Sequence, residues 1–385
     1  MLYTALFFAI IGAGGVYMGS NPQSQPHEFQ RILKLAEPKL IITSRRGLPV
    51  VLGLPESGQR TRRSRVCVLE EYVMDHITLL VNSLAGPTAR VNHVASSKQG
   101  RDPPFDFVEL LYHGQSDWVR FDNAAVATVT PAAMYMTSGT SGLPKAALLS
   151  HEAIVSQHLS CTYDVPYPVS RLMSLPMFHL FGALYTHISP IRYGHPVYVL
   201  PRFDPEQFAV CISQYQVSET YLVPAMVHKF NRCSLPSSAT TSPLPIYFAS
   251  LRYVGVAGAP IDAGAMQYFR TLLQPDASAC QIWGMTETGV TFQCRYPDQD
   301  HFGSIGQVTP GYNVCLVDSQ GMLVNSEDMV GEIYIRGPGL LLRYKGGNPT
   351  KISGAGSGQA TLHMSAMDTF TSSAGRKNSS RFAGE

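Results

Sequence analysis

The sequence predicts an α/β fold built on parallel strands, and three observations carry that reading. From about residue 105 to 283, short apolar runs alternate with helix signals, the pattern of βαβ units whose sheet is covered on both faces. After Val308 the helices stop, and 314–317 and 332–336 read as strands separated by turn residues, a small β-rich subdomain. The chain as a whole has an ordinary globular composition, 45% hydrophobic and 15% charged over 385 residues, enough to bury a large core in roughly two or three domains.

In chain order, 2–11 is an apolar run with the look of a signal-peptide core. No Lys or Arg precedes Arg31, however, and Gly12, Gly14 and Gly15 break the run. It is marginal in length for a bilayer, so a buried helix ending in a glycine turn is expected and stable membrane insertion is not. Residues 26–43 read as a helix with apolar positions at Phe29, Ile32, Leu33 and Leu35, followed by a strand. Arg45, Arg46, Arg60, Arg62, Arg63 and Arg65 then crowd into 21 residues that hold no hydrophobic period. A solvated loop accounts for them, and a basic site for an acidic partner is the alternative. An apolar pattern returns over 67–82, and 83–104 is loop-like.

Farther on, 125–135 is apolar and β-prone, and Ser150 caps a helix. Strands are expected at 172–175, 196–200, 221–223, 253–256 and 280–283. Asp204-Pro205-Glu206 opens one helix, Pro224 another, and Asp262 caps a third that runs to about Leu273. Residues 352–385 are rich in Ser, Gly and Ala without a period and read as a disordered tail. A net charge of +2 gives no reason to expect nucleic acid or acidic membranes as partners. The seven cysteines are scattered, with no CxxC pair or metal-like spacing, which suits buried or free thiols in a reducing compartment.

The stretch with the clearest chemistry is Met136-Thr137-Ser138-Gly139-Thr140-Ser141-Gly142-Leu143-Pro144-Lys145. Its glycines let backbone approach a ligand, its free N–H groups can form an anion nest, and its hydroxyls and lysine add donors suited to phosphate. Its spacing is not that of a Walker A loop. Taken alone, it is equally a Ser/Gly surface loop between a strand and a helix.

It does not stand alone. Leu175-Pro176-Met177-Phe178-His179-Leu180-Phe181-Gly182, Gly255-Val256-Ala257-Gly258-Ala259-Pro260, Gln281-Ile282-Trp283-Gly284-Met285-Thr286-Glu287-Thr288 and Gly331-Glu332-Ile333-Tyr334-Ile335-Arg336-Gly337-Pro338-Gly339 follow in order. In this order they resemble the core motifs of the adenylate-forming (AMP-binding) superfamily, and the wording is closest to fungal 4-coumarate–CoA ligase-like enzymes and acyl-CoA synthetases. The resemblance covers about 1–43 and 105–350, with 44–100 atypical. It implies one AMP-binding N-terminal domain over 1–351, of layered α/β sheets plus a small β-barrel, followed by a tail that departs from the family. It also implies a chain short at both ends, without the small C-terminal domain.

The resemblance further implies a two-step reaction with ATP, Mg²⁺ and coenzyme A. A carboxylate attacks the α-phosphate and expels pyrophosphate, and a thiol then takes the acyl group. Thr137, Ser138, Gly139, Thr140, Ser141, Gly142 and Lys145 match the loop on the β- and γ-phosphates. Thr286 matches the threonine at the α-phosphate and Glu287 the acid associated with Mg²⁺. Gly258, Ala259 and Pro260 match the turn along the adenine and acyl pocket, Trp283 and Gly284 the adenine wall, and His179 the acyl entrance. The acid would lie between His179, 223–225, Gly258 and 285–290. For His179, Trp283 and Glu287 taken singly, core packing or a solvated group is the alternative. Glu332 and Arg336 suit an ion pair across one strand face as well as a ligand contact.

Two departures stand beside these matches. No Tyr/Phe-x-Thr-Gly-Asp segment, whose aspartate would hold the ribose, follows Gly339, and the hinge and catalytic lysine of the family's C-terminal domain are absent. The implied function is therefore acid–CoA ligation with the activity of this chain in question. The alternatives are a nucleotide-binding remnant or mispredicted product, and an adenylation module serving a carrier protein. The expected setting is cytoplasmic or peroxisomal, although Ala383-Gly384-Glu385 is no peroxisomal signal.

Overall fold

The computed structural model describes residues 2–53, 65–84, 104–111, 117–137, 145–161, 163–233, 244–298, 304–324, 331–346 and 360–363. They divide into two compact units, one of Ser20–Arg120 and the other of Met1–Gly19 with Phe121–Glu385. The larger unit begins with α1 (Leu2–Gly12), which buries Phe7 and ends in a turn at Gly14, and with β1 (Tyr17–Met18). The apolar start is thus a packed helix, and no described helix is long and apolar enough to cross a membrane.

The smaller unit contains α2 (Pro26–Ala36), β2 (Leu40–Ser44), α3 (Leu48–Leu52), β3 (Arg65–Leu69), α4 (Val73–Leu84), β4 (Phe105–Asp106) and α5 (Phe107–Leu111). Its three strands form a parallel sheet in the order β2-β3-β4 around buried Cys67 and Val68. A reciprocal capping box between Gln25 and Glu28 starts α2. Two of the crowded arginines are structural. Arg45 donates from Nε to Glu70 at 2.8 Å, and Arg65 lies 4.6 Å over the Phe105 ring. The helix α3 occupies part of the stretch read as loop, where Pro49 sits in the first helical turn and tolerates its missing N–H. Arg60, Arg62 and Arg63 lie outside the described residues.

The larger unit resumes with α6 (Ala124–Val129), β5 (Pro131–Thr137), β6 (Lys145–Ser150), α7 (His151–Ser160), β7 (Arg171–Met173) and α8 (Leu180–Ala183). A π-helical turn (Leu184–Ile188), α9 (Ser189–Tyr193), β8 (Val197–Val199), α10 (Pro205–Gln214), β9 (Glu219–Leu222), α11 (Pro224–Arg232) and α12 (Leu244–Tyr247) follow. The chain goes on through β10 (Tyr253–Val256), α13 (Ala263–Arg270), β11 (Ser278–Met285), β12 (Gly289–Gln293), β13 (Gln307–Val308), β14 (Asn313–Val317), β15 (Glu332–Gly337), β16 (Arg343–Tyr344) and β17 (Ala360–His363).

Two expectations are corrected here. The apolar run 125–135 is not one strand: the Asn123 side chain accepts from Val126 N and starts α6, and the strand begins only at Pro131. Within the tail read as disordered, Ala360–His363 forms a strand antiparallel to β15, since an open sheet edge will pair with backbone whatever the side chains. The rest of that tail lies outside the described residues. The helix starts at Ser150, Asp204 and Asp262 are as expected, each side chain accepting from the N–H three residues on.

The main sheet has seven strands in the order β13-β12-β11-β10-β9-β7-β8. From β8 to β11 neighbours are parallel, and β12 and β13 close the sheet antiparallel. Alternation divides its side chains between two cores. Leu222, Val254 and Val256 join Phe208, Phe230, Phe248 and Phe269 beneath α10, α11 and α13. Tyr221, Tyr253 and Ile282 face the other way, into a core shared with Phe7, Tyr135 and Leu149. A second sheet, β1-β5-β6-β16, supplies that layer, and β14-β15-β17 form the small antiparallel sheet after Val308. In it, Glu332 lies opposite Val317 and Arg336 opposite Asn313.

Candidate active site

Because β7, β9, β10 and β11 run parallel, their C-terminal ends share one sheet edge, the place where open α/β sheets bind ligands. His179 follows β7, Val223 follows β9, Gly258-Ala259-Pro260 follows β10, and Thr286 and Glu287 follow β11. Gly258 has φ of 93°, and a Cβ there would sit 3.3 Å from Val223 Cγ1, so the turns after β9 and β10 touch. Gly258, Ala259 and Pro260 are all exposed. His179 is exposed as well, 4.8 Å from the Phe178 ring, and the protein around it pushes its pKa below the ordinary 6.5, which leaves the imidazole neutral at pH 7.

β11 turns into β12 through Thr286-Glu287-Thr288. Trp283 pairs with Phe292 in the ladder and meets its ring edge-to-face at 5.6 Å. The register then shifts between Trp283 and Gly284, placing Gly284 opposite Val290. A Cβ on Gly284 would lie 2.1 Å from the Gly289 carbonyl oxygen, so this glycine permits a close approach of the two backbones. The Tyr312 hydroxyl donates to the Thr288 carbonyl, and Thr291 Oγ1 donates to Thr288 Oγ1 at 3.0 Å, which anchors the end of the turn.

The hairpin of β5 and β6 carries the ends of the glycine-rich loop, with buried Thr137 paired to exposed Lys145. Ser138, Gly139, Thr140, Ser141 and Gly142 lie outside the described residues. β16 joins this hairpin to the Thr286-Glu287 turn. Leu342 N donates to Leu148 O at 2.7 Å and Lys345 N to Ala146 O at 2.8 Å, while Leu341 N donates to Glu287 O at 2.7 Å. Tyr344 then bridges the two with its side chain. Its hydroxyl donates to Glu287 Oε1 at 2.6 Å, and its ring lies 5.2 Å beneath Lys145 Nζ. Burial and that bond push the phenol above its ordinary pKa, so it remains a donor. Tyr344 escaped the sequence reading because a two-residue strand shows no periodicity, and its place after the Gly337-Pro338-Gly339 run was the only clue.

That run is held by packing. A Cβ on Gly337 would meet the Tyr312 ring at 2.6 Å, and one on Gly339 would meet Tyr312 Oη at 2.0 Å. Buried Gln157 donates from Nε2 to Gly339 O at 2.6 Å and lies against Gly289, where φ is 69°. Glu287 is itself buried, and the described residues contain no cluster of three His, Cys, Asp or Glu side chains that could enclose a metal ion. A single carboxylate of this kind suits a hard divalent ion that draws its remaining oxygens from a ligand and water.

At the opposite edge of the sheet, Arg171, Glu219 and Tyr253 begin β7, β9 and β10. Arg171 Nε donates to Glu219 Oε2 at 3.1 Å, and both side chains are almost wholly buried. The guanidinium lies 4.6 Å over the Tyr163 ring, while burial pushes the carboxyl above its ordinary range against the pull of Arg171. A cavity of about 180 Å³ borders Glu219, lined also by Tyr163, Tyr167, Tyr221, Gln293 and Arg295 among others.

A family model described as AMP-binding enzyme matches residues 1–345. A nicotinic acid-CoA ligase of Aspergillus fumigatus is 47% identical over 90% of this chain and 58% of its own length. A nicotinic acid-CoA ligase of Penicillium canescens is 44% identical over 90% of this chain and 61% of its own. An acyl-CoA ligase of Aspergillus oryzae is 42% identical over 92% and 63%. The chain thus spans about 60% of the length of these curated relatives. The N-terminal domain of FACL13 from Mycobacterium tuberculosis superposes with a TM-score of 0.66 at 19% identity, covering 90% of this chain and 75% of that one. ATP-bound MatB from Rhodopseudomonas palustris gives 0.63 at 19%, covering 89% and 59%.

Proposed function

The chain belongs to the AMP-binding enzyme family, and on that premise we propose that it serves the ATP-dependent activation of an acyl or aryl carboxylic acid to an acyl adenylate, followed by transfer to coenzyme A. The observation that carries the proposal is the Lys145–Tyr344–Glu287 arrangement, which brings a cation and a carboxylate to one place beside the strand ends. In this reading Lys145 and the N–H groups of 138–142 neutralise the outgoing phosphates. Thr286 contacts the α-phosphate. Glu287 holds Mg²⁺, which when bound would offset the charge that develops on the phosphate oxygens. Trp283 and Gly284 flank the adenine, and the exposed Gly258-Ala259-Pro260 turn admits nucleotide and acid side by side. His179, neutral at pH 7, borders the acid without adding charge to it.

The acid is proposed to be small and aromatic. The names of the relatives from Aspergillus fumigatus and Penicillium canescens agree with an aromatic acid. A second reading, nucleotide binding without turnover, is favoured by one observation, that no Thr-Gly-Asp segment follows Gly339.

Calorimetry with Mg²⁺·ATP and pyrophosphate exchange with nicotinic, phenylacetic, benzoic and fatty acids test both. Exchange with aromatic acids is the result expected of the ligase reading. Binding without exchange supports the second, and no nucleotide binding overturns both.

A further inference from the structure

Lys145 and Glu287 are opposite charges at one site, yet no ion pair joins them among the described residues. Left to themselves, a flexible lysine and a nearby carboxylate would close on one another, and a closed pair would have to be broken before either could meet a phosphate or a divalent ion. One side chain stands between them. The Tyr344 ring offers its electron-rich face to the ammonium, and its hydroxyl donates to Oε1 of the carboxylate. Its backbone cannot drift from either partner. Tyr344 is paired with Ala147 of β6, two residues from Lys145, and Leu341 is bonded to the main chain of Glu287 itself.

We propose that Tyr344 is a positioning residue, a spacer that holds Lys145 and Glu287 apart and aimed so that the cation and the carboxylate are available to a polyphosphate and its divalent ion. The proposal deepens the nucleotide reading given above and rests on it for the identity of the ligand. The spacer itself is a property of the unliganded chain. Tyr344→Phe keeps the ring under Lys145 and removes only the donor, so the released carboxylate is free to swing toward the ammonium.

The test is a cycle of variants of the full chain, read by acetylation of Lys145 with acetic anhydride at pH 8 and peptide mass spectrometry. In Tyr344→Phe the carboxylate closes on the ammonium and holds it against the reagent, and labelling slows about three-fold. Adding Glu287→Gln restores the wild-type rate. Glu287→Gln alone leaves labelling unchanged, because the wild-type lysine is not paired. An unchanged rate in Tyr344→Phe overturns the spacer, as does slowing that persists in the double variant or a several-fold change in Glu287→Gln alone. Calorimetry on the same proteins separates this from the ligand assignment: a wild-type chain that binds no Mg²⁺·ATP sinks the nucleotide reading, while the labelling cycle still decides the spacer.

Discussion

Gly284→Ala is the most informative single change, because the structure assigns it a cost that does not depend on any ligand. A Cβ at this position would lie 2.1 Å from the Gly289 oxygen, 2.9 Å from its carbonyl carbon and 3.0 Å from Val290 Cα, all backbone atoms that cannot rotate away. Ordinary contact begins at 3.4 Å, so the strands must part by about 1.3 Å. Such a separation removes two or three bonds of the β11–β12 ladder at about 1 kcal/mol each, so a loss of roughly 2–3 kcal/mol is expected. The Thr286-Glu287 turn lies between those strands, and Mg²⁺·ATP affinity should fall by at least about ten-fold with it. Urea unfolding followed by circular dichroism measures the first quantity and calorimetry the second. A variant within about 0.5 kcal/mol of wild type that binds nucleotide normally would refute the close-approach explanation.

Three further changes probe other parts of the fold. Removing one partner of the buried pair, Arg171→Met or Glu219→Gln, should cost about 3–5 kcal/mol in urea unfolding, and the double variant less than the two losses together, because the orphaned charge is then gone. His187 is fully buried against Phe7 and Tyr3, and burial lowers its pKa from 6.5 to about 4. The unfolded chain therefore takes up a proton that the native imidazole refuses, and stability drains away as pH falls from about 6.5 toward 4. By pH 5 the loss is about 2 kcal/mol, and His187→Phe should flatten the difference between unfolding at pH 7.5 and pH 5 by that amount. Asp262→Ala removes the acceptor for Ala265 N at the start of α13 and should cost about 1 kcal/mol by thermal unfolding, with little effect on the other helices.

What the sequence makes legible is what short-range chemistry decides. Ser150, Asp204 and Asp262 announce helix starts because a cap needs only its own next three residues. The parallel strands show as apolar runs because both faces of the main sheet are buried. The ordered motifs bring the chain to its family from the sequence alone. Long-range pairing is what escapes. Arg171 and Glu219 stand 48 residues apart, and nothing in either segment marks them as partners. The strand Ala360–His363 exists because β15 leaves an edge to pair with, which a Ser- and Gly-rich composition does not betray. Tyr344 gains its role from β16 lying on β6, a pairing that a two-residue strand cannot signal. The 125–135 run misled because apolar content was read without weighing Asn123, whose side chain makes the first turn of α6.

The glycines of the family motifs separate into two kinds once their surroundings are known. Gly258 stands on an exposed turn with φ of 93°, and its near neighbour is the tip of the Val223 side chain, so the space beside it is open to a ligand. A Cβ on Gly284, Gly337 or Gly339 would meet protein atoms at 2.0–2.6 Å: the Gly289 carbonyl, the Tyr312 ring and the Tyr312 hydroxyl. Tyr312 in turn donates to Thr288, and Gln157 reaches both Gly339 and the surface of Gly289. The second kind therefore forms a frame that presses the turn bearing Glu287 into place, while the first leaves its own turn uncrowded. A substitution at Gly339 should lower stability and nucleotide affinity together. A larger side chain at Gly258 should lower affinity more than the strain of its backbone lowers stability, and that difference in proportion marks which motif glycines meet the ligand.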